Sequence, residues 1–166
     1  MEYMLMPLRR YADFSGRSRR KEFWMYQLMN FIVVLVLYAV VLGGGGLSML
    51  TAGAATQAGA EPDLAQVSVG PMFWIGALLL CIWGLGTIIP SLAVTVRRLH
   101  DRNMSGWYLL GFIVLVVVLS MIPLVGPLIV FALEIGYIVL LALPGTPGTN
   151  DYGPDPLGNF DPEVFA

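Results

Sequence analysis

The sequence predicts an all-α protein: a polytopic integral membrane helical bundle, with four transmembrane helices and both termini in the cytoplasm. Hydrophobic residues make up 57% of the 166-residue chain and charged residues only 12%, where soluble proteins carry about a quarter charged residues. Charged residues are also absent from three long stretches, 23–60, 64–96 and 103–133. Each stretch exceeds the ~20 apolar residues that a helix needs to cross a bilayer.

Residues 1–23 are the first element, a basic segment that we expect at the cytoplasmic membrane interface. They hold six of the nine Lys and Arg residues of the chain. Met4, Leu5 and Leu8 recur at roughly helical spacing, which predicts a short amphipathic element lying on the membrane surface. Ser18 then has the side chain of an N-cap, so a longer helix is predicted from about Arg19.

Residues 24–143 form the predicted membrane domain, with spans at about 24–42, 72–96, 107–122 and 128–143. The glycine run 43–46 ends the first span because glycine weakens a helix, and 47–70 is predicted to be a flexible exposed loop. The apolar run 107–143 would be about 55 Å long as one straight helix, well beyond a hydrocarbon core of about 30 Å. The sequence "IPLVGP" at 122–127 therefore predicts a turn.

The distribution of charge predicts the orientation of these spans. All nine Lys and Arg residues lie before the first span or between residues 97 and 102, and the 47–70 segment carries only Glu61 and Asp63. By the positive-inside rule, the N-terminus and the 97–106 loop face the cytoplasm. Four spans, or a re-entrant hairpin over 107–143, return the tail to the cytoplasm, whereas a single broken span would not.

The Pro- and Gly-rich tail, residues 144–166, completes the chain. It has no basic residue and four acidic ones, so we expect it to fold back onto the basic cytoplasmic segments by charge attraction. Asn150 and Asp155 are the tail residues predicted to make contacts there.

His100 and Asp101 are the only pair that suggests catalysis. A neutral imidazole can act as a general base near pH 7, but a base also requires a nucleophile or a bound substrate, and the sequence supplies neither. A single His and a single cysteine, Cys81, give no metal-ligand set. We therefore predict a protein that is not an enzyme and has no catalytic residue, metal or cofactor.

The arginine-rich cytoplasmic face is the predicted binding surface. Arginine suits phosphate because its guanidinium makes bidentate contacts, and Asp101 can reach Arg97 and Arg98 along the helix. The expected ligand is an anionic lipid headgroup or a partner protein, although membrane topology alone also explains the charges. Nucleic acid is not expected, since the nearby aromatic residues suit the membrane interface. The predicted surface consists of Arg17, Arg19, Arg20, Arg97, Arg98, His100 and Asp101.

A second hypothesis is a small transporter or channel subunit. Glu134 is an ionisable residue well inside a predicted span, where a charge costs at least ~2.5 kcal/mol. Thr87, Ser91 and Thr95 form a weakly polar stripe that could line a path with it in a homo-oligomer. The alternative is a neutral Glu134 that hydrogen-bonds between helices.

Three motifs, in order, carry a resemblance to a known family: "FSGRSRRKEFW" (14–24), "PSLAVTVRRLHDRNMSGW" (90–107) and "GTPGTNDYGPDP" (145–156). Together they resemble the small bacterial inner-membrane proteins grouped as domain of unknown function 805, over about residues 8–157. The resemblance implies a polytopic inner-membrane protein and no established activity. Asp151 departs from the family pattern, in which a basic residue commonly follows the asparagine.

Overall fold

The computed structural model describes residues 2–59, 61 and 67–158, and these residues form an all-α structure without a β-strand. The prediction of the fold class is confirmed. The helices are α1 (Glu2–Arg9), α2 (Arg20–Val41), α3 (Leu47–Gln57), α4 (Pro71–His100), α5 (Trp107–Ser120) and α6 (Gly126–Ala142), with a π-helical segment, Leu42–Gly46, between α2 and α3.

The chain divides into two compact units. The first unit, Met1–Tyr26 with Ile89–Ala166, contains α1, the start of α2, the end of α4, and the α5 and α6 helices. The second unit, Gln27–Ile88, contains the rest of α2 and α4 together with α3.

Two helical segments are long and apolar enough to cross a membrane. They are Arg20–Gln57, which joins α2 to α3, and Pro71–His100, which is α4. Their large apolar side chains face outward, as Phe31 and Trp74 do, because lipid rather than a protein core surrounds such helices. The α5 and α6 helices are equally apolar but shorter, with 14 and 17 residues, so the membrane crossing of all four stays a prediction.

The α5 and α6 helices form an antiparallel hairpin within the first unit. The chain turns between Met121 and Val125, inside the predicted break, and the rings of Phe112 and Tyr137 stack at 4.2 Å between centroids. The hairpin returns Ala142 to the level of Trp107, which favours two spans or a re-entrant hairpin over a single broken span.

The glycine run allows two backbones of the second unit to approach closely. Gly70 donates its N–H to the Gly44 carbonyl at 2.9 Å, and a Cβ on Gly44 would overlap the backbone of Phe73. Gly45 has a φ of 112°, a conformation that disfavours a side chain. The glycines therefore serve a kink and a close contact.

The predicted exposed loop over 47–70 is wrong in its first half, because Leu47–Gln57 is the helix α3. This segment contains Leu, Met, Gln and several Ala residues, which are strong helix formers, and no proline. Glu61 is exposed, and Asp63 lies outside the described residues.

The contact at Gly44 predicts the effect of one added methyl group. Gly44→Ala should lower the free energy of unfolding by about 1–3 kcal/mol, because the backbone of Phe73 must move. Gly53→Ala is the matched control, since a Cβ there meets no atom within 4 Å and alanine favours a helix. Thermal unfolding in detergent measures both variants, and equal unfolding temperatures would contradict the close contact.

Candidate functional site

The core of the first unit is charged. Arg97 and Arg98 are its largest fully buried side chains, and Arg17, Asp101 and Glu22 are also buried. We call these five residues the arginine network. A buried guanidinium is costly unless each N–H finds an acceptor and the charge is paired, so the partners of each arginine explain the fold around it.

Arg97 joins the end of α4 to the N-terminal segment. Its Nε donates to the Ser18 hydroxyl at 2.9 Å, one Nη donates to the Asp13 carbonyl at 2.8 Å, and the other reaches Glu22 Oε1 at 3.2 Å. Both predictions for these residues are therefore wrong. Ser18 serves Arg97 rather than capping α2, and the acid partner of Arg97 is Glu22 instead of Asp101.

Asp101 is the carboxylate on which two arginines converge. Arg17 Nε donates to its Oδ1 at 3.0 Å, and Arg98 donates to its Oδ2. Both carboxylate oxygens therefore have a buried cationic partner. Gly145 lies against the same carboxylate, and a Cβ at that position would overlap Asp101 Oδ2.

Arg17 fastens the tail. One Nη donates to the Gly148 carbonyl at 2.6 Å and lies 3.4 Å from the Gly153 carbonyl, and the other donates to Thr146 at 2.6 Å. Together with Asp101, these acceptors leave the guanidinium no free direction. The "GRSRR" motif and the tail motif are thus held together by one side chain.

Arginines also cap the C-terminal end of α6. The last carbonyls of a helix lack partners within it and carry the negative end of the helix dipole, and α6 has no basic residue in its own last turn. Residues from other elements supply the donors: Arg98 to Leu141 (2.8 Å) and Leu143, Arg102 to Leu140 (3.0 Å), and Arg20 to Ala142 (3.4 Å).

The tail in turn caps the C-terminal end of α4. Thr146 donates its N–H to the Asp101 carbonyl at 2.8 Å, and the Asn150 amide donates to the His100 carbonyl at 2.9 Å. The His100 ring stacks on Tyr152, with centroids 3.9 Å apart and planes at 7°. Helix α4 ends as Asn103 takes a φ of 57°, the left-handed conformation of many helix termini.

The tail therefore folds back as expected, but through different groups. The Asp151 side chain is exposed, and Asp155 accepts the backbone N–H groups of Gly148 (3.2 Å) and Leu157 (2.8 Å) within the tail itself. Neither carboxylate forms an ion pair in the described part of the chain. Asp161 and Glu163 lie outside the described residues.

A surface ion pair shapes the loop before the network. Asp13 accepts hydrogen bonds from the Ser15 hydroxyl at 2.5 Å and from Arg10 at 2.6 and 2.9 Å. The Ser15 hydroxyl and the Arg10 guanidinium hold the pKa of Asp13 well below its usual range. The loop so formed presents the Asp13 carbonyl to Arg97.

A basic cleft of about 380 Å³ lies beside the network. One side is lined by Arg19 and by the first two residues of α2, Arg20 and Lys21, and the tail lines the other with residues 144–147 and 155–157. Arg19 and Lys21 donate no side-chain hydrogen bond within the described ranges. Arg20 makes only the long bond to Ala142.

The predicted binding surface thus divides into two groups. Arg17, Arg97, Arg98 and Asp101 are buried and bonded to one another or to other protein groups. Arg19 and Arg20 are not buried and line the cleft. His100 belongs to neither group, because its Nδ1 lies 3.2 Å from the Gly16 carbonyl and its ring contacts Tyr152.

The residues of the transport hypothesis are placed as follows. Glu134 is exposed on α6 and has no hydrogen-bond or ion-pair partner among the residues described. Thr87 and Thr95 donate to carbonyls of their own helix, at 2.8 and 2.7 Å, and the Ser91 hydroxyl lies 3.3 Å from Tyr26 Oη. The transport role of this set stays a prediction.

Comparison with known proteins identifies the family. Residues 11–154 match the model of the family described as Protein of unknown function (DUF805). The chain belongs to this family. One relative, Inner membrane protein YhaH of Escherichia coli K12, is 35% identical over 94% of this chain and 97% of its own length. Inner membrane protein YhaI of the same strain is 33% identical over 94% and 96%.

No solved structure matches the chain. The relatives and the apolar helices confirm the predicted location: this DUF805 protein is an inner-membrane protein. The match also confirms the family resemblance carried by the three motifs.

The sequence did not predict several residues that bind the arginines of the network. Glu22 had a usable signal, because a carboxylate in the first turn of an apolar span requires a basic partner. The backbone carbonyls of Leu141, Leu143 and Thr146 had none, since every residue type carries a carbonyl. Gly145 and Lys21 lie within or beside the motifs but lacked a distinguishing pattern.

The two arginines on Asp101 predict a large effect of neutralising it. Asp101→Asn should lower the free energy of unfolding by about 3–5 kcal/mol, because two buried guanidinium groups lose their counter-charge. Asp151→Asn makes the same chemical change at an exposed carboxylate that forms no ion pair in the described part of the chain, and it should cost less than about 0.5 kcal/mol. Equilibrium unfolding in mixed micelles compares them, and equal losses would contradict the network.

The contact at Gly145 predicts a specific effect on the tail. Gly145→Ala should release the tail from α4, because its Cβ would displace the Asp101 carboxylate. Limited proteolysis should then cut the tail several times faster than in the wild type. Asp151→Asn is the control and should leave the cleavage rate unchanged. Faster cleavage of this control would instead support docking of the tail by charge attraction.

Proposed function

We propose that this DUF805 protein is a non-enzymatic inner-membrane protein that binds the phosphate of an anionic lipid headgroup in the basic cleft. The observation that carries the proposal is the difference between the two sets of arginines. The arginines of the network are bound by protein acceptors. Within the described residues, Arg19 and Lys21 line the cleft and donate no side-chain hydrogen bond to protein, and the Lys21 ammonium lies over the Tyr3 ring at 5.0 Å.

The charge of the cleft supports an anionic ligand. Four cationic side chains line it against two acidic ones, Asp101 and Asp155. The lining therefore has a net charge of +2. Asp101 is paired with Arg17 and Arg98, and Asp155 accepts backbone N–H groups. Charge-assisted hydrogen bonds from such groups to phosphate are about twice as strong as neutral ones.

The position of the cleft supports a lipid as the source of that phosphate. Its basic wall, residues 19–21, lies where α2 begins and three residues before Trp24, an aromatic residue of the type found at headgroup level. Basic residues at that level each add about 1 kcal/mol of attraction to an anionic leaflet. The structured tail supplies a second wall, which a purely topological role of the charges would not require.

Lipid retention tests this proposal. Native mass spectrometry should show phosphatidylglycerol retained several times more than phosphatidylcholine by the wild type, and this preference should fall to near one in Arg19→Gln/Lys21→Gln. Arg9→Gln/Arg10→Gln removes the same charge outside the cleft and should keep the preference.

Two results would decide against it. Equal lipid preferences in the two double variants would show that the preference follows the net charge of the protein and does not depend on the cleft. Full displacement of the lipid by soluble glycerol phosphate at equal concentration would assign the cleft to a free phosphate ester.

A further inference from the structure

A second cavity, separate from the basic cleft, lies between α4 and α5 in the first unit. Its volume is about 570 Å³, within the ~300–1,000 Å³ of typical ligand pockets. Leu92 and Val96 of α4 and Leu110 and Ile113 of α5 form its walls, and Phe14 closes one side. We call it the apolar groove.

The groove is apolar along its length and polar at one end. His100 and Ser105 lie at that end, where α4 finishes and α5 begins. Trp107, which is 76% exposed, lies beside them and has the amphipathic ring that is enriched at the membrane–water boundary. An apolar groove with polar groups at the end nearest the membrane–water boundary suits one lipid molecule, with its acyl chain along the apolar walls and its headgroup at the polar end.

His100 presents an acceptor to this end of the groove. Its Nδ1 lies 3.2 Å from the Gly16 carbonyl, and since a carbonyl only accepts, Nδ1 carries the hydrogen. No carboxylate in the described part of the chain pairs with His100, and both oxygens of Asp101 are held by arginines. The ring is therefore neutral, and Nε2, next to Gly106, is an acceptor in need of a donor.

Ser105 supplies the complementary group. Its hydroxyl oxygen accepts the N–H of Trp107 at 3.4 Å, so its hydrogen remains available to an anionic oxygen. The residue also lies two positions before Trp107, the first residue of α5, whose positive dipole end favours a phosphate. The end of the groove thus combines a site for a phosphate oxygen with an acceptor for a headgroup donor.

We propose that the apolar groove binds a phospholipid of the phosphatidylethanolamine class. One acyl chain lies between α4 and α5, the phosphate lies at Ser105, and the headgroup ammonium donates to Nε2 of His100. Phosphatidylcholine has the same chains, phosphate and net charge but no N–H donor, so it lacks this hydrogen bond. The proposal does not rest on the basic cleft, which would select for net charge.

The methylation series of this headgroup tests the proposal in the unmodified protein. Phosphatidylethanolamine and its mono-, di- and trimethyl derivatives, with identical chains, are mixed in equal amounts with the detergent-solubilised protein and analysed by native mass spectrometry. The first lipid should be retained about fivefold over the trimethyl lipid, the ratio for one hydrogen bond of about 1 kcal/mol, with the main drop at the third methyl group. Equal retention across the series would overturn the proposal.

Two variants locate the selectivity. His100→Phe keeps a ring against Tyr152 but removes the acceptor, so the retention ratio should fall to about one. Arg9→Gln, which lies outside both the basic cleft and the apolar groove, should leave it at about fivefold. An unchanged ratio in His100→Phe would refute the assignment to Nε2.

Leu110→Trp provides a measurement that does not depend on the folding of the His100 variant. It fills the groove and should reduce the retention of both lipids several-fold. Undiminished retention in Leu110→Trp would place the lipid elsewhere and overturn the proposal.

Discussion

The structure of the first unit depends on one requirement, that each buried guanidinium nitrogen has an acceptor. Within the described residues, Arg17, Arg97 and Arg98 are removed from solvent and form ion pairs with two carboxylates, Asp101 and Glu22. The remaining donors must bind backbone carbonyls, and these come from the N-terminal loop, α6 and the tail. Buried ion pairs of this kind add little stability over an apolar core, but they accept few alternative arrangements, so they specify how the segments meet.

The same requirement separates two roles that arginine plays in this membrane protein. Positive charge near a span sets its orientation whatever the geometry of the side chain. The arginine network adds a second role, because its Arg98 caps the carbonyl end of α6, which has no basic residue in its own last turn. Within the described residues, Arg19, Arg20 and Lys21 have few protein acceptors and line the basic cleft.

The helices could be predicted from the sequence because hydrophobicity and chain length decide where an apolar helix begins and ends. A loop was predicted over Leu47–Gln57 because the segment is rich in small residues. The segment is a helix instead, because several of those small residues are alanine, which favours a helix. The network could be predicted only in part. Its basic residues are evident in the sequence, but the acid partner of Arg97 is Glu22, which lies 75 residues away in the sequence, and not the nearby Asp101. Backbone acceptors such as Thr146 and Leu141 have no signature in the sequence, so the division between buried and available arginines required the structure.

The hydrogen bond from Arg17 to the Thr146 carbonyl joins residues 129 positions apart, and this separation has a consequence for biosynthesis. The ribosome releases Arg17 before any of the apolar helices has been made, whereas the Thr146 carbonyl is translated 129 positions later. Until then Arg17 must remain hydrated or paired with another acceptor. The contacts of Arg17 with the tail can form only after α6 has been translated, so the closure of the face around Asp101 is a late step of folding.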